Sequence, residues 1–504
     1  MASPVKLPER VPVGSFFLET LTTGMYESAF HCIREYVQNS YDAVNDAVGA
    51  GILKAGGGKI SIILGGADNS RNLTIHDDGI GIPAAEAVDR LVALGASTKR
   101  PQRHAGFRGI GRLAGIAYST VLRYQTKATG EAVATIIEFD CAKLRGFMAP
   151  GAEPKDISDV IKQSVTARTV PDKAHDHYTE VQMLGLVGLG QDFVQVETLL
   201  GYLGQYSPVD YAGSFPFADR IRKNAVEYSG TIPTVDVELR TGRERHVITK
   251  PYRKSYATGA GTQPSTLTRI EPIGSREHGW FGWFGISNFP GEIPDETVAG
   301  VRFRQKNIQI GDEGIIESIS AENTIKGTDR RLQRWTVGEI FITNTEVVPN
   351  ARRDGFEDNE AWRAIQSDLK EVTSTIVKLT RNSSKNRTKL RKASAVVEEK
   401  RSLLSAQSGP LVRSAARQIE AELRSQLTKI EQAVSGGADP KEASRVITEI
   451  KQVQEKLSEL GTKADPPPKP PPKPLLDIVR EVLEEELGAQ QASRLIKKIQ
   501  ARQQ

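Results

Sequence analysis

The spacing of apolar residues changes along this chain, and each change predicts a different kind of structure. From Phe16 to Gly185, helix-like and strand-like stretches alternate between glycine-rich loops, the texture of an α/β domain. From Leu186 to Phe356 the texture stays mixed. β-Branched runs at Thr234–Leu239 (TVDVEL) and Glu339–Thr343 (EIFIT) predict strands of a second α/β domain. From Glu357 to Leu460 the period becomes helical. Ile419, Leu423, Leu427 and Ile430 recur at three- and four-residue spacing, as do Val446, Ile450, Val453, Leu457 and Leu460. Between those runs, Ser435-Gly436-Gly437-Ala438-Asp439-Pro440 breaks one helix and starts another. The pair either folds back as an intramolecular hairpin or joins a dimerising coiled coil.

Beyond them, the proline run Asp465–Pro474 favours polyproline II, a semi-rigid spacer or a ligand for proline-binding modules. Leu475 to Gln504 then predicts one or two amphipathic helices. The first carries Leu476, Val479, Val482, Leu483 and Leu487; the second ends in Arg494, Lys497, Lys498 and Arg502. A tethered tail of this kind suits docking to a protein partner. The expected division is an N-terminal arm (1–14), two α/β domains (15–185 and 186–356), a helical region (357–462), a linker (463–474) and a tail (475–504).

Composition narrows the class. A chain of 504 residues predicts about three domains, and 38% hydrophobic residues suffice for real cores. No stretch approaches the ~20 apolar residues of a membrane helix, and MASPVKLPERVPVG lacks the apolar region of a secretory signal. Two cysteines, Cys32 and Cys141, make neither a disulfide framework nor a cysteine-rich zinc site. The expectation is a cytoplasmic protein without a membrane anchor. The net charge of +5 matters only where it is concentrated. Arg381, Lys385, Arg387, Lys389, Arg391 and Lys392 crowd one segment without an acid among them. That segment is either a solvated helix face or a surface for nucleic acid.

Chemistry concentrates in three places. In Arg34-Glu35-Tyr36-Val37-Gln38-Asn39-Ser40-Tyr41-Asp42-Ala43, residues Glu35, Asn39 and Asp42 share one helical face, while Ile33, Val37, Ala43 and Val44 can dock that helix on a sheet. A carboxylate base and an amide oxygen for a divalent cation need such a half-buried face; a solvent-exposed polar stripe has the same spacing. Thr74-Ile75-His76-Asp77-Asp78-Gly79-Ile80-Gly81 is an apolar strand entering an acidic turn with two glycines, which fits either an exocyclic amine or a plain hairpin turn. Gly106-Phe107-Arg108-Gly109-Ile110-Gly111 opens a helical segment, where free backbone N–H groups suit phosphate oxygens. Ahead of it, the small, polar, basic stretch Gly95-Ala96-Ser97-Thr98-Lys99-Arg100 suits a mobile lid.

Taken in order, E-x-x-x-N-x-x-D-A, D-x-G-x-G and G-x-x-G-x-G resemble the GHKL ATPases, the family of gyrase, the ninety-kilodalton heat-shock chaperone, histidine kinases and MutL. The resemblance runs from Phe16 to Met183 and implies the Bergerat fold, an α/β sandwich holding ATP between helices and a mixed sheet. It implies Glu35 as the base for the attacking water, Asn39 as the Mg2+ ligand, Asp77 as the acceptor of the adenine amine, and Gly81 as room for the ring. Asp42, Ala43, Gly79 and Lys99 would flank the nucleotide. Gly106, Phe107, Arg108, Gly109, Ile110 and Gly111 would cradle its phosphates, and Thr179 would support Asp77. Histidine kinases lack the hydrolytic glutamate and need a phospho-acceptor histidine on a preceding dimerisation helix. Here fourteen residues precede Ser15 and His31 lies within the ATP-site helix, so the hydrolytic branches fit better.

Those branches pair the ATPase domain with a transducer domain that brings a cation to the γ-phosphate. Val348-Pro349-Asn350-Ala351-Arg352-Arg353-Asp354-Gly355-Phe356 resembles the catalytic-arginine loop of the heat-shock chaperone and selects Arg353. Val301–Gly311 offers Lys306 or Arg304 instead. The implied activity is Mg2+-dependent ATP hydrolysis by a clamp that closes as an ATP-dependent homodimer, with the proline-containing arm Met1–Gly14 reaching across. Its object is a protein, in a chaperone-like cycle; or nucleic acid, in a MutL- or microrchidia-like one; or it switches a multi-protein, possibly defence, system.

Overall fold

The computed structural model describes residues 28–65, 71–93, 99–100, 103–106, 109, 111–149, 151–153, 155–259, 263–322, 329–435, 438, 440–466 and 474–501. The N-terminal arm, the segment 95–98, Phe107, Arg108, Ile110 and most of the proline run lie outside the described residues. The chain is mixed α/β with a helical C-terminal part, and its contacts divide it into two compact units, residues 1–385 and 386–504.

The first unit contains two sheets. Eight strands form the larger one, in the order β5-β4-β3-β6-β2-β1-β7-β8. They are β1 (Lys59–Gly65), β2 (Asn72–Asp77), β3 (Ser119–Lys127), β4 (Val133–Asp140), β5 (Val165–Pro171), β6 (Tyr178–Leu186), β7 (Asp236–Thr241) and β8 (Glu244–Val247). All neighbours are antiparallel except β1 and β7. The run Thr234–Leu239 thus adds a strand to the first sheet rather than to a second domain. Its alternation is that of a strand, but the partner is set by Ile60 and Ile62 meeting Val237 and Leu239 across a parallel register.

Helix α1 (Phe30–Gly49) packs on this sheet, burying Ile33, Tyr36, Val37 and Val44 at 3% exposure or less. Strand β2 alternates, turning Leu73, Ile75 and Asp77 to the covered face. Period two therefore delivers a carboxylate into an apolar layer. That position is expensive for a charge unless it is partnered.

The second sheet has the order β13-β12-β14-β11-β10-β9, from β9 (Ser255–Tyr256), β10 (Ser265–Ser275), β11 (Trp280–Ser287), β12 (Gly300–Gln305), β13 (Ile308–Ile310) and β14 (Val337–Ile342). Strand β11 is buried on both faces. Phe281 and Trp283 join one core, Trp280 and Phe284 another that includes Trp362. Ile308, on the edge hairpin β12–β13, packs instead into the core of the first sheet. One edge of the second sheet is thereby tied to the first.

In the second unit, the end of the long helix Glu360–Ala406 packs with helices Arg413–Ser435 and Pro440–Leu460. Leu390, Val397, Leu423, Ile430, Ile450 and Val453 are all buried in one cluster. The heptad-like residues are thus covered within the chain by three helices. No helix among the described residues is long and apolar enough to cross a membrane.

Candidate functional site

A cavity of about 450 Å³ lies between α1, the end of β2, the glycine-rich segment and the loop bearing Arg353. Such a volume suits a small molecule. Its two ends differ in chemistry.

At one end stands Asp77, 2% exposed. Its carboxylate accepts the Gly79 N–H at 3.0 Å and a bond from Ser40. Burial dominates these partners and pushes its pKa up to about 6. Thr179 lies directly across the ladder from Asp77. Its hydroxyl is 3.0 Å from that of Thr126, which in turn accepts the Ile82 N–H. Thr179, Gly81 and Ala43 line the cavity; Gly79 lies outside the wall and holds Asp77 from behind. A Cβ on Gly79 would meet Ala43 Cβ at 2.6 Å.

Gly81 needs its freedom for a reason the sequence hides. Its φ is +66° and a Cβ there would fall 1.8 Å from the Lys127 carbonyl. Backbone packing by itself demands a glycine here, whatever the cavity holds. Lys127 itself is fully buried and donates to the carbonyls of Glu131 and Asp176 at 2.8 and 2.9 Å.

The other end belongs to the polar face of α1. Glu35 is 8% exposed, and its Oε1 has no hydrogen-bond donor. A Cβ on Gly111 would lie 2.4 Å from Glu35 Oε2, and one on Gly106 would lie 2.7 Å from Asn39 Oδ1. These glycines clear space for side chains of α1. Gly109, at φ +74°, supplies a left-handed turn between them. Asp42 lies behind the wall, where it accepts the backbone N–H groups of Ala105 at 2.7 Å and Gly106 at 2.9 Å. It shapes the glycine segment instead of facing the cavity.

Lys99 reaches Asn39 Oδ1 at 3.3 Å and Asp42 Oδ2 at 2.9 Å. An ammonium resting on these two oxygens shows that the position accepts a cation. No group of three or more His, Cys, Asp or Glu side chains able to hold a metal occurs among the described residues. The Asn39 oxygen could hold a magnesium ion here, with phosphate oxygens and water completing a ligand set it favours.

Two further cations arrive from the second sheet. Arg353 Nε lies 3.2 Å from Glu35 Oε1, an ion pair without hydrogen-bond alignment, and its guanidinium donates to the Ala105 carbonyl. Lys306 lies outside the cavity wall. Burial pushes its pKa down to about 8; the Asp42 charge opposes this, and Arg353 and Lys99 add to it. The strand-like basic segment around it is not a basic surface. Arg304 is fully buried and donates to Glu339, as do Lys250, Tyr211 and Trp283, so Arg304 is not a group for phosphate. Its second bond goes to the Asn307 carbonyl at 3.1 Å, beside Lys306.

Sequence reasoning missed Ser40, Thr126, Lys127 and the amide of Ala105, and it assigned to phosphate the Gly106 N–H that the structure gives to Asp42 Oδ2. Ser40 lay within the quoted helix motif, one turn before Val44, and its spacing from Asn39 hid its opposite role. Nothing local marked the others.

Residues 26–167 match the family model described as histidine kinase-, DNA gyrase B-, and HSP90-like ATPase. The matched stretch, a GHKL-type ATPase domain, ends before β6 and the second sheet. No curated protein matches the chain.

Proposed function

We propose, from the GHKL-type ATPase domain at residues 26–167, that this chain hydrolyses ATP to drive closure of a clamp on a protein partner. One observation carries the reading. A buried arginine from beyond the matched domain sits on Glu35, a carboxylate that the polar face of α1 presents in the cavity wall.

In this reading Asp77 accepts the adenine amine at its end of the cavity, and the glycine segment faces the phosphates. Glu35 Oε1, without a donor, holds the attacking water and takes its proton as the water oxygen bonds to the γ-phosphorus. The bond from that phosphorus to the β–γ bridging oxygen breaks, leaving ADP and inorganic phosphate. Magnesium held by Asn39 would neutralise charge on the phosphate oxygens. Arg353 exchanges Glu35 for the γ-phosphate, a planar, permanently charged fork suited to it. Because Arg353 belongs to the second sheet, that exchange couples nucleotide to domain geometry. An ATP-dependent homodimer of the ATPase domains is the closed state this reading implies.

Glu35→Ala tests it. ATP affinity stays near wild type while steady-state turnover is abolished; turnover at the wild-type rate removes Glu35 as the base. A nucleic-acid-linked cycle is the second reading, favoured by exposed Arg381, Lys385, Lys389, Arg391 and Lys392 along one helix. ATPase rates with and without duplex DNA at two salt concentrations separate the two. Absence of both binding and stimulation at low salt leaves the protein-directed clamp.

A further inference from the structure

Half of the exposed large aliphatic side chains among the described residues fall on two short helices at the end of the chain. They are Leu475, Ile478, Val482 and Leu487 on the first (Leu475–Leu487), and Leu495 and Ile499 on the second (Ala489–Gln500). Gly488, at φ +77°, turns one helix into the other. The hairpin has an inner seam, where Ala492 and Ile496 are buried against half-buried Leu476, Val479 and Leu483. These two buried residues do not join the cluster formed by the three helices before the proline run.

Helical phase decides where the exposed residues lie. On the first helix, Leu475, Ile478 and Val482 sit about a quarter turn or more from the seam; on the second, Leu495 and Ile499 are displaced in the same rotational sense. For antiparallel helices the same sense means the same side. The two stripes therefore merge into one apolar face, with Leu475 78% and Val482 53% exposed. Two helices of this length cannot sustain themselves with one seam, since isolated short helices are marginal in water. A covering partner is required.

Charge identifies it. The turn end of the hairpin carries Glu481, Glu484, Glu485 and Glu486, whereas the second helix carries Arg494, Lys497 and Lys498 and no acid. The hairpin is thus acidic at its turn end and basic toward its open end. A surface polarised in this way is complementary to a copy of itself turned end for end, acidic turn over basic opening, twice about one two-fold axis. We propose that the tail hairpin is a dimerisation module that pairs with the same hairpin of a second chain to make an antiparallel four-helix bundle. The dimer forms without nucleotide and is distinct from closure of the ATPase domains.

Sedimentation of the full chain without nucleotide tests this. Wild type sediments as a concentration-dependent dimer, and I478D/V482D shifts it to monomer with ATP affinity unchanged. The triple variant E484K/E485K/E486K and the double variant K497E/K498E are each monomeric alone. Mixed one to one they form a heterodimer, because each supplies the charge the other now needs; that rescue separates lost pairing from a melted hairpin. A wild type that stays monomeric at every concentration overturns the proposal. So does a dimer that survives I478D/V482D, or a mixture that stays monomeric.

Discussion

Asp77 owes its chemistry to strand alternation. Its neighbours at period two, Leu73 and Ile75, are fully buried, so its carboxyl is carried into the same layer and its pKa is held at about 6. A carboxyl raised in the folded state above its ordinary 3.8 favours folding with its proton on. That contribution is complete below the ordinary value and is lost as pH rises through about 6. Asp77→Asn removes the charge and keeps an acceptor oxygen for Gly79. The ligand-free variant is therefore expected to melt higher than wild type well above pH 6, by up to about 3 kcal/mol, and to converge with it in acid. ATP affinity falls in the same variant, since the amide cannot match a carboxylate as acceptor. Melting curves across pH, read beside calorimetric titration with nucleotide, check both. An identical melting difference at every pH would remove the buried charge as the cause.

At the scale of elements, α1 and the glycine segment form one device: one supplies polar side chains, the other leaves room for them. Gly111→Ala would put a methyl group 2.4 Å from Glu35 Oε2 and 2.9 Å from its Cγ, so the Glu35 side chain itself has to swing out of its place in the cavity wall. Turnover is expected to fall by at least about tenfold, in line with the sensitivity of catalysis to misplacement of about 1 Å. Gly146→Ala, inside helix Cys141–Met148 with nothing within 4 Å, is the matched control. It should leave turnover unchanged and add about 0.5–1 kcal/mol of stability. Equal losses in both would mean that glycine flexibility, not clearance, matters.

The sequence carried part of this device. The four- and three-residue spacing of Glu35, Asn39 and Asp42 puts them on one side of α1, and the structure gathers Glu35, Asn39 and Asp77 around one cavity. Asp42 shares the spacing, yet hydrogen bonds to Ala105 and Gly106 draw it behind the wall. Pairings across long sequence intervals were illegible. β7 finds β1 some 170 residues away, and β12 reads as a basic surface until its pairing with β14 puts Glu339 within reach of Arg304. Local pattern fixes which face a residue takes, and only the register says what it meets.

On the scale of the first unit, two loops of the second sheet reach the ATPase domain as one body. Gly311 donates its N–H to the Arg353 carbonyl at 2.8 Å, and Asn307 donates to the carbonyls of Val209 and Pro233. Arg34, next to Glu35 on α1, donates to the Arg352 carbonyl at 3.3 Å. Lys306, Asn307 and Arg353 all hold positive φ, at +51°, +63° and +58°, which non-glycine residues adopt only where their surroundings impose it. Strain collected at the two cationic loops fixes Arg353 where it pairs with Glu35. In the proposed cycle, a nucleotide that draws Arg353 away frees that carboxylate for water in the same movement, which would link binding and activation through a single side chain. Arg353→Ala is expected to lower turnover roughly 10²–10³-fold, the scale of losing one charge-stabilising donor. ATP affinity should change little, because an arginine that gives up Glu35 to reach phosphate gains little net attraction. Arg353→Lys should not restore the rate: a single ammonium lacks the fork that grips two oxygens. Single-turnover hydrolysis with separately measured binding distinguishes the cases. A loss in affinity as large as the loss in rate would make Arg353 a binding group rather than the link between the two sheets.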